Sequence, residues 1–346
     1  MSKKNKQKGK SKKKNQDLSF REQIKPIFKE RFLEMLKTEE EYQKFEDTIL
    51  TAQRKSFRIN TNKVKNPEKL IKKLKEKGVY TNPVPWCNNA YFVEYDKNDE
   101  KQRGDLGNLY EHFLGQIYVQ EATSMTPPEL LEIPKLDKNT DPELFIVLDM
   151  ASAPGSKTTQ LANLMQNQGT LVANELDYKR IGPLKINLER SSFTNIIITN
   201  SDGVKIEGEE TFDRILLDAP CSGSGVIRKS PKTIRTYNPK QLKSISKLQL
   251  RLFQRAFELL KKGGIMTYST CSLDPEENEF VVDEFLKQNP DAILEKAELK
   301  DIILNNKLKE FKGKKIPKEI TEKTIRIWPQ DNDTNGFYVA KIRKDF

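Results

Sequence analysis

Residues 144–164 read Leu-Phe-Ile-Val-Leu-Asp-Met-Ala-Ser-Ala-Pro-Gly-Ser-Lys-Thr-Thr-Gln-Leu-Ala-Asn-Leu. An apolar run breaks into a turn with almost no side-chain bulk and restarts with helical spacing. The pattern predicts a buried strand over 145–148, a loop over 151–156 and a helix with Leu161 and Leu164 on one face. Such a loop lets backbone N–H groups and the positive helix end come close to a ligand. Taken alone, an ordinary tight turn fits the stretch equally well.

The ligand is narrowed by what the loop lacks. A P-loop requires Gly-x-x-x-x-Gly-Lys-Ser/Thr, but Ala151 stands at the first glycine position and Ser156 precedes Lys157. The dinucleotide pattern Gly-x-Gly-x-x-Gly is missing. A nucleoside cofactor without a phosphate chain demands less of the turn.

At 346 residues the chain can bury one large core plus a smaller domain. No apolar run approaches the roughly 18 residues of a spanning helix, and the lysine-rich N-terminus has no apolar stretch behind it, so neither membrane insertion nor a signal peptide is expected. Three cysteines, Cys87, Cys221 and Cys271, occur without C-x-x-C spacing beside one histidine, His112. That set argues against a metal site or a disulfide framework and for a reducing, cytoplasmic compartment. The formal net charge is +11, but residues 1–14 hold eight lysines and no acids, which leaves 53 basic against 50 acidic residues elsewhere. Residues 1–18 are expected to form a disordered tail, either a solubilising end or a phosphate-seeking arm.

Next, Phe20, Ile24, Ile27, Phe28, Phe32, Met35 and Leu36 recur at helical steps, and Thr38 with Glu41 reads as a capping box opening another helix. Residues 56–61 read as an alternating strand with Arg58 on its polar face, and 91–95 as a second strand. Arg54, Lys55, Arg58, Lys63 and Lys65 cluster on this small α/β unit, as a solvated basic face or as RNA backbone contacts. Residues 110–131 are expected to be helical up to Pro127-Pro128, with Leu114, Ile117, Tyr118 and His112 facing in. The domain boundary is placed near Asn108, giving an N-terminal unit over 19–108 and a catalytic one over 109–346.

From Phe145 the chain alternates strand and helix, the pattern of a doubly wound parallel sheet. Further strands are expected over 170–174, 195–199, 212–217 and 265–270. A helix over 239–261, with Leu242, Ile245, Leu248, Leu252, Phe253 and Leu259 inward, should end at Gly263-Gly264. Asp274-Pro275 reads as the cap of the next helix, and residues 336–342 as a last, edge strand.

Ligands in such sheets sit outside the carboxyl ends of the strands. Each of five strands delivers a suggestive residue there: the 151–157 loop, Glu175, Asp202, Asp218 and Cys271. An acid after the second strand can accept both ribose hydroxyls, and one after the third can read an adenine amino group. Acceptors gathered near a cation suit the sulfonium of S-adenosylmethionine. Cys221 in Asp-Ala-Pro-Cys-Ser-Gly-Ser-Gly and Cys271 in Thr-Cys-Ser-Leu-Asp-Pro-Glu-Glu-Asn lie on neighbouring strand ends in settings that favour exposed, activated thiols. Cys87 reads as a buried, inert thiol.

These blocks resemble the RNA cytosine-5 methyltransferases, the family of bacterial 16S rRNA enzymes and the Nop2/Sun proteins, over roughly residues 55–345. The pairing of Pro-Cys with Thr-Cys is its most specific mark. The resemblance implies a Rossmann-like catalytic domain behind a small N-terminal α/β RNA-binding domain. It assigns S-adenosylmethionine to Ala151, Ser152, Ala153, Pro154, Gly155, Ser156, Lys157, Glu175, Asp202 and Asp218, with Lys157 and Asp218 also near the target base. Cys271 would be the nucleophile and Cys221 the release residue. Glu175 stands where the family more often has Asp, and Ala151-Ser152 where Cys/Ala-Ala is common; both changes preserve the local chemistry. The compact chain is most similar to the shorter archaeal tRNA enzymes, so a tRNA is expected as substrate, an rRNA as alternative, and a monomer as the acting form. A ribosome-assembly factor with incidental catalysis and a P-loop NTPase are the rival readings.

Overall fold

The structure, a computed structural model, describes residues 21–94, 105–135, 144–304 and 308–346. The lysine-rich stretch 1–18, Phe20 and Tyr95 lie outside the described residues.

Two helices lie near the start of the described residues, Pro26–Leu36 and Glu39–Ile49. Thr38 caps the second, its hydroxyl accepting from the Glu41 backbone N–H at 3.2 Å. Phe28 and Phe32 stack at 4.1 Å, Phe32 and Phe45 at 4.9 Å, and Trp328 meets Phe45 edge-on at 5.8 Å. The helix pair therefore shares one core with the far C-terminal part of the chain.

A four-stranded antiparallel sheet follows, built from β1 (Ser56–Ile59), β2 (Tyr80–Pro83), β3 (Ala90–Glu94) and β4 (Ile117–Val119) in the order β2-β3-β1-β4. It supplies the N-terminal α/β unit expected from the sequence, with two corrections. Residues 110–131 are not one helix: a four-residue turn of helix, Tyr110–Phe113, gives way to β4. Gly115 causes the break. It adopts φ 66°, and a Cβ there would fall 2.0 Å from the Arg190 carbonyl oxygen, so the chain reverses and Ile117-Tyr118-Val119 pairs with β1. Leu114 is consequently exposed, and Pro127 and Pro128 start a helix, Thr126–Leu130, rather than interrupt one.

The second correction concerns Arg58. Every residue of β1 is buried, because the face opposite the unit's own core is covered by the catalytic domain. The Arg58 guanidinium donates to Gln120 Oε1 at 2.6 Å, Ser156 O at 2.9 Å and Thr159 Oγ1 at 3.0 Å. Lys63 Nζ donates to the Leu114 and Arg190 carbonyls at 2.8 and 2.7 Å, and Arg54 is ion-paired with Glu94. Arg58 and Lys63 thus tie the two units together, and Arg54 is paired within the N-terminal unit. His112 has a structural place too, with Nε2 2.8 Å from Arg190 and its pKa lowered by burial and by that arginine.

Among the described residues the C-terminal sheet holds eight strands. β5 (Ile146–Asp149), β6 (Thr170–Asn174), β7 (Ile196–Thr199), β8 (Phe212–Asp218) and β9 (Leu260–Thr270) are mutually parallel in the order β7-β6-β5-β8-β9. The strand order reverses between β5 and β8, which opens the crevice at their carboxyl ends. Strand Phe337–Lys344 runs antiparallel beside β9 and is interior rather than at an edge, since β10 (Ala292–Glu295) and strand Ile325–Ile327 both pair along its other side. The long helix spans Leu242–Leu259 and passes directly into β9, so Gly263-Gly264 lie within the strand; Leu248 points outward. Asp274 makes no cap bond, and its carboxylate instead accepts from buried Arg31 at 2.6 Å and Tyr237 at 2.5 Å. Among the described residues no helix is long and apolar enough to cross a membrane.

Arg58→Ala is expected to destabilise the protein by about 2–4 kcal/mol, because it deletes three charge-assisted bonds in the interior and leaves the buried Gln120 side-chain oxygen without its donor. Lys65→Ala, on the exposed side of the same unit, should stay within about 0.5 kcal/mol. Urea denaturation of the two variants separates this interior role from a solvent-facing one, which would leave Arg58→Ala as stable as the wild type.

Candidate active site

The site is assembled from strand ends. β5 ends at Asp149, and the loop after it turns at Gly155, whose φ of 101° places it in the left-handed region at the N-cap of helix Ser156–Leu164. A Cβ at Gly155 would come 3.1 Å from Leu184 Cδ1, so the loop lies flat on the next helix. Asn174, at the end of β6, stitches the neighbouring loops together: its side-chain amide donates to the Met150 and Ser201 carbonyls at 3.1 and 2.9 Å, and its own carbonyl accepts from Ser152 N at 2.8 Å.

Asp149 is fully enclosed. One carboxylate oxygen accepts from Thr158 Oγ1 at 2.7 Å, and burial raises the pKa to about 7. Lys157 is 8% exposed and places Nζ 2.6 Å from Asp218 Oδ2 at the end of β8. Burial alone would lower the Lys157 pKa, but the Asp218 carboxylate outweighs it and holds the ammonium above its ordinary value. The other Asp218 oxygen accepts from Ser269 Oγ at 2.8 Å, and the Lys157 ammonium sits 5.5 Å from the centre of the Phe337 ring.

Cys221 and Cys271, fifty residues apart, bring their Sγ atoms to 2.9 Å as free thiols. The hydrogen bond to Cys271, then burial, pushes the Cys221 thiol well above the usual range. Their loops are locked by a contact only glycine permits, since a Cβ at Gly225 would meet the Gly336 and Cys271 carbonyl oxygens at 2.4 and 2.8 Å. They are also tied by Glu277, a fully buried carboxylate that accepts from Ser222 N at 2.8 Å and Ser222 Oγ at 2.6 Å. Glu277 was hidden in the sequence within a run that reads as a helix start. Its only signal there is the acid-rich pair that follows Pro275.

A cavity of about 820 Å³ opens over this floor, lined by Ala151 to Pro154, Ser156, Lys157, Asp218, Cys271 and Phe337, with Arg180, Lys55 and Lys229 among the residues around it. Glu175 lies just behind the wall, 3% exposed, accepting from Ala153 N at 3.2 Å and Asp177 N at 2.9 Å with Arg180 at 3.3 Å. Asp202 follows β7 and accepts from Val204 N at 3.1 Å. Neither acid lines the cavity, and Cys221 stands behind Cys271. Cys87 is buried away from it, bonded to Glu129 at 3.2 Å. No group of three His, Cys, Asp or Glu among the described residues is placed to hold a metal.

This arrangement has close counterparts. A model of the 16S rRNA methyltransferase RsmB/F family matches residues 136–343, and one of the N-terminal domain of 16S rRNA methyltransferase RsmF matches residues 24–122. The tRNA (cytosine(49)-C(5))-methyltransferase of Pyrococcus abyssi is 42% identical over 336 residues, 94% of this chain and 99% of that protein. The ribosomal RNA small subunit methyltransferase F of Shewanella piezotolerans is 42% identical over 296 residues, 84% of this chain; the chain spans 58% of that protein's length. A methyltransferase homologue of known structure from Pyrococcus horikoshii shares the fold at a TM-score of 0.74 and 34% identity, covering 94% of this chain and 99% of the other. With a Rossmann-like sheet, a small-residue loop at its switch point and two thiols at adjacent strand ends, the chain belongs to the RsmB/F family of S-adenosylmethionine-dependent RNA cytosine-5 methyltransferases.

Proposed function

We propose that the enzyme methylates C5 of a cytosine in tRNA through a covalent bond between Cys271 Sγ and C6 of the base, with Cys221 assisting release. The approach of the two thiols to 2.9 Å beside the Lys157–Asp218 pair carries this reading. C5 of cytosine is too weak a nucleophile to take a methyl group unaided, and thiolate addition at C6 turns the ring into an enamine whose C5 can. A free thiol is only about 3% ionised at pH 7. Lys157 borders the same cavity as Cys271. Asp218, already an acceptor for Lys157 and Ser269, lines the cavity that the base would enter.

The residues around the loop fit S-adenosylmethionine, which supplies an electrophilic methyl group on a sulfonium centre. The small side chains from Ala151 to Ser156 leave room against the backbone, and Asp149 and Asp218 line the cavity beside them. Ala151 to Lys157 and Asp218 would hold the methionyl end, Glu175 the ribose hydroxyls and Asp202 the adenine amino group. After methylation the C5 proton passes to the Cys221 sulfur as Cys221's own proton moves to the departing Cys271 sulfur, the C5–C6 double bond re-forms and the electron pair of the C6–S bond returns to Cys271. Cys221, kept protonated by its burial and its hydrogen bond, donates to the departing sulfur.

tRNA is favoured because the Pyrococcus abyssi tRNA enzyme is matched over 99% of its length, whereas the rRNA enzyme of Shewanella piezotolerans is matched over 58%. Free thiols suit a reducing cytoplasm, where we place the enzyme as a monomer. Tritiated methyl transfer to bulk tRNA and to 16S rRNA, followed by bisulfite sequencing of the labelled species, tests the assignment. Label in tRNA is the expected result, and label confined to rRNA would overturn it.

Glu175→Ala should weaken S-adenosylmethionine binding by about 1.5–3 kcal/mol, roughly ten- to a hundredfold, by leaving two hydroxyls without a charged acceptor. Calorimetric titration measures this directly. An unchanged affinity would place the ribose elsewhere.

A further inference from the structure

Between Asp218 and Glu258 the chain contains no acidic residue but nine cations. Three of these are engaged by the fold. Arg228 is buried among the Thr334 carbonyl, Thr51, Ala52 and Asp333, Arg255 pairs with Glu258, and Arg235 donates to Gln23 at 2.6 Å. The other six, Lys229, Lys232, Lys240, Lys243, Lys247 and Arg251, are exposed, and among the described residues their side chains make neither a hydrogen bond nor an ion pair.

Their placement is ordered. Lys229 borders the cavity that holds Cys271 and Asp218. Lys232 and Lys240 follow on the segment leading away, and Lys243, Lys247 and Arg251 repeat every four residues on helix Leu242–Leu259. Each such step advances about 6 Å along one helical face. The opposite face, with Leu242, Gln249, Leu252, Phe253 and Ala256, is buried and fixes the stripe outward. Six like charges without partners repel one another and contribute nothing to the core, so a polyanion is their natural counterpart. The N-terminal unit offers less, since Arg54, Arg58 and Lys63 are already bound within the protein.

We propose that these six residues form the track along which the substrate RNA's backbone lies as the target base enters the cavity, with its phosphates paired to Lys229, Lys232, Lys240, Lys243, Lys247 and Arg251. The proposal rests on the reading of the protein as an RNA methyltransferase and adds where the strand runs. Phosphate contacts of this kind position the RNA without reading its sequence, so the track sets affinity and direction while the cavity sets the base.

The test uses the full chain with three substitutions, Lys243→Gln, Lys247→Gln and Arg251→Gln, and a control carrying Lys69→Gln, Lys72→Gln and Lys75→Gln on helix Pro67–Glu76. Binding of a tRNA transcript is followed by fluorescence anisotropy across a series of salt concentrations. Each lost phosphate contact removes about 0.7 to 0.9 from the slope of log K against log salt, so the track variant should show a slope shallower by roughly 2 to 3 units and a Kd raised at least tenfold at low salt. The control should keep the wild-type slope, and S-adenosylmethionine affinity should be equal in all three proteins, which checks folding. An unchanged slope in the track variant, or an equal loss in the control, overturns the proposal. Binding decides this independently of turnover: an RNA that binds along the track but takes no methyl group would contradict the substrate reading and leave the track standing.

Discussion

An ammonium buried to the extent of Lys157 has to be paired, and Asp218 pairs it at 2.6 Å across the gap between β5 and β8. Breaking such a pair from one side costs about 3–5 kcal/mol, because the remaining charge is left in a poor solvent. The ion pair therefore fixes the helix that follows the small-residue loop against the end of β8, at the one place where the sheet reverses its order. Ser269 on β9 holds the second Asp218 oxygen, and Cys271 stands two residues further on. One charge pair thus couples three adjacent strand ends and sets the electrostatic field in which the thiols operate.

The thiols themselves are placed by contacts of another kind. Gly225 presses its backbone against the carbonyls of Gly336 and Cys271, and Glu277 reaches under the Cys221 loop to hold Ser222. Arg31, from the opening helix, ties down Asp274 just beyond Cys271. The N-terminal segments are accordingly part of the scaffold of the site, not an appended module: one helix braces the Cys271 loop, and β1 braces the helix that carries Lys157 through Arg58.

Much of this was legible in the sequence, and the exceptions share a cause. The loop at 151–156, the five parallel strands and the residues at their ends are local patterns, with apolar runs and small turns in fixed alternation, and they fall where that alternation puts them. Arg58 was misread because periodicity shows which side of a strand is polar and not whether another domain covers that side. Residues 110–131 lost their helix to Gly115, whose requirement is a carbonyl of Arg190 far along the chain. The strand Phe337–Lys344 looked terminal in sequence, yet non-local pairing on both sides makes it interior. The acid-free interval after Asp218 is visible by inspection, but only the folded protein shows that six of its cations lack partners among the described residues.

The central claim is that Cys271 attacks and Cys221 releases, and the two roles fall on opposite sides of one covalent intermediate. Incubating Cys271→Ala and Cys221→Ala separately with tRNA and S-adenosylmethionine, then separating the products on a denaturing gel, tests it most directly. Loss of acid–base assistance slows a step by about 100- to 10,000-fold, long enough for an adduct to survive denaturation. A slow-migrating protein–RNA band with Cys221→Ala, and none with Cys271→Ala, is the result the geometry predicts. A trapped complex with Cys271→Ala would assign the attack to Cys221 and contradict this account.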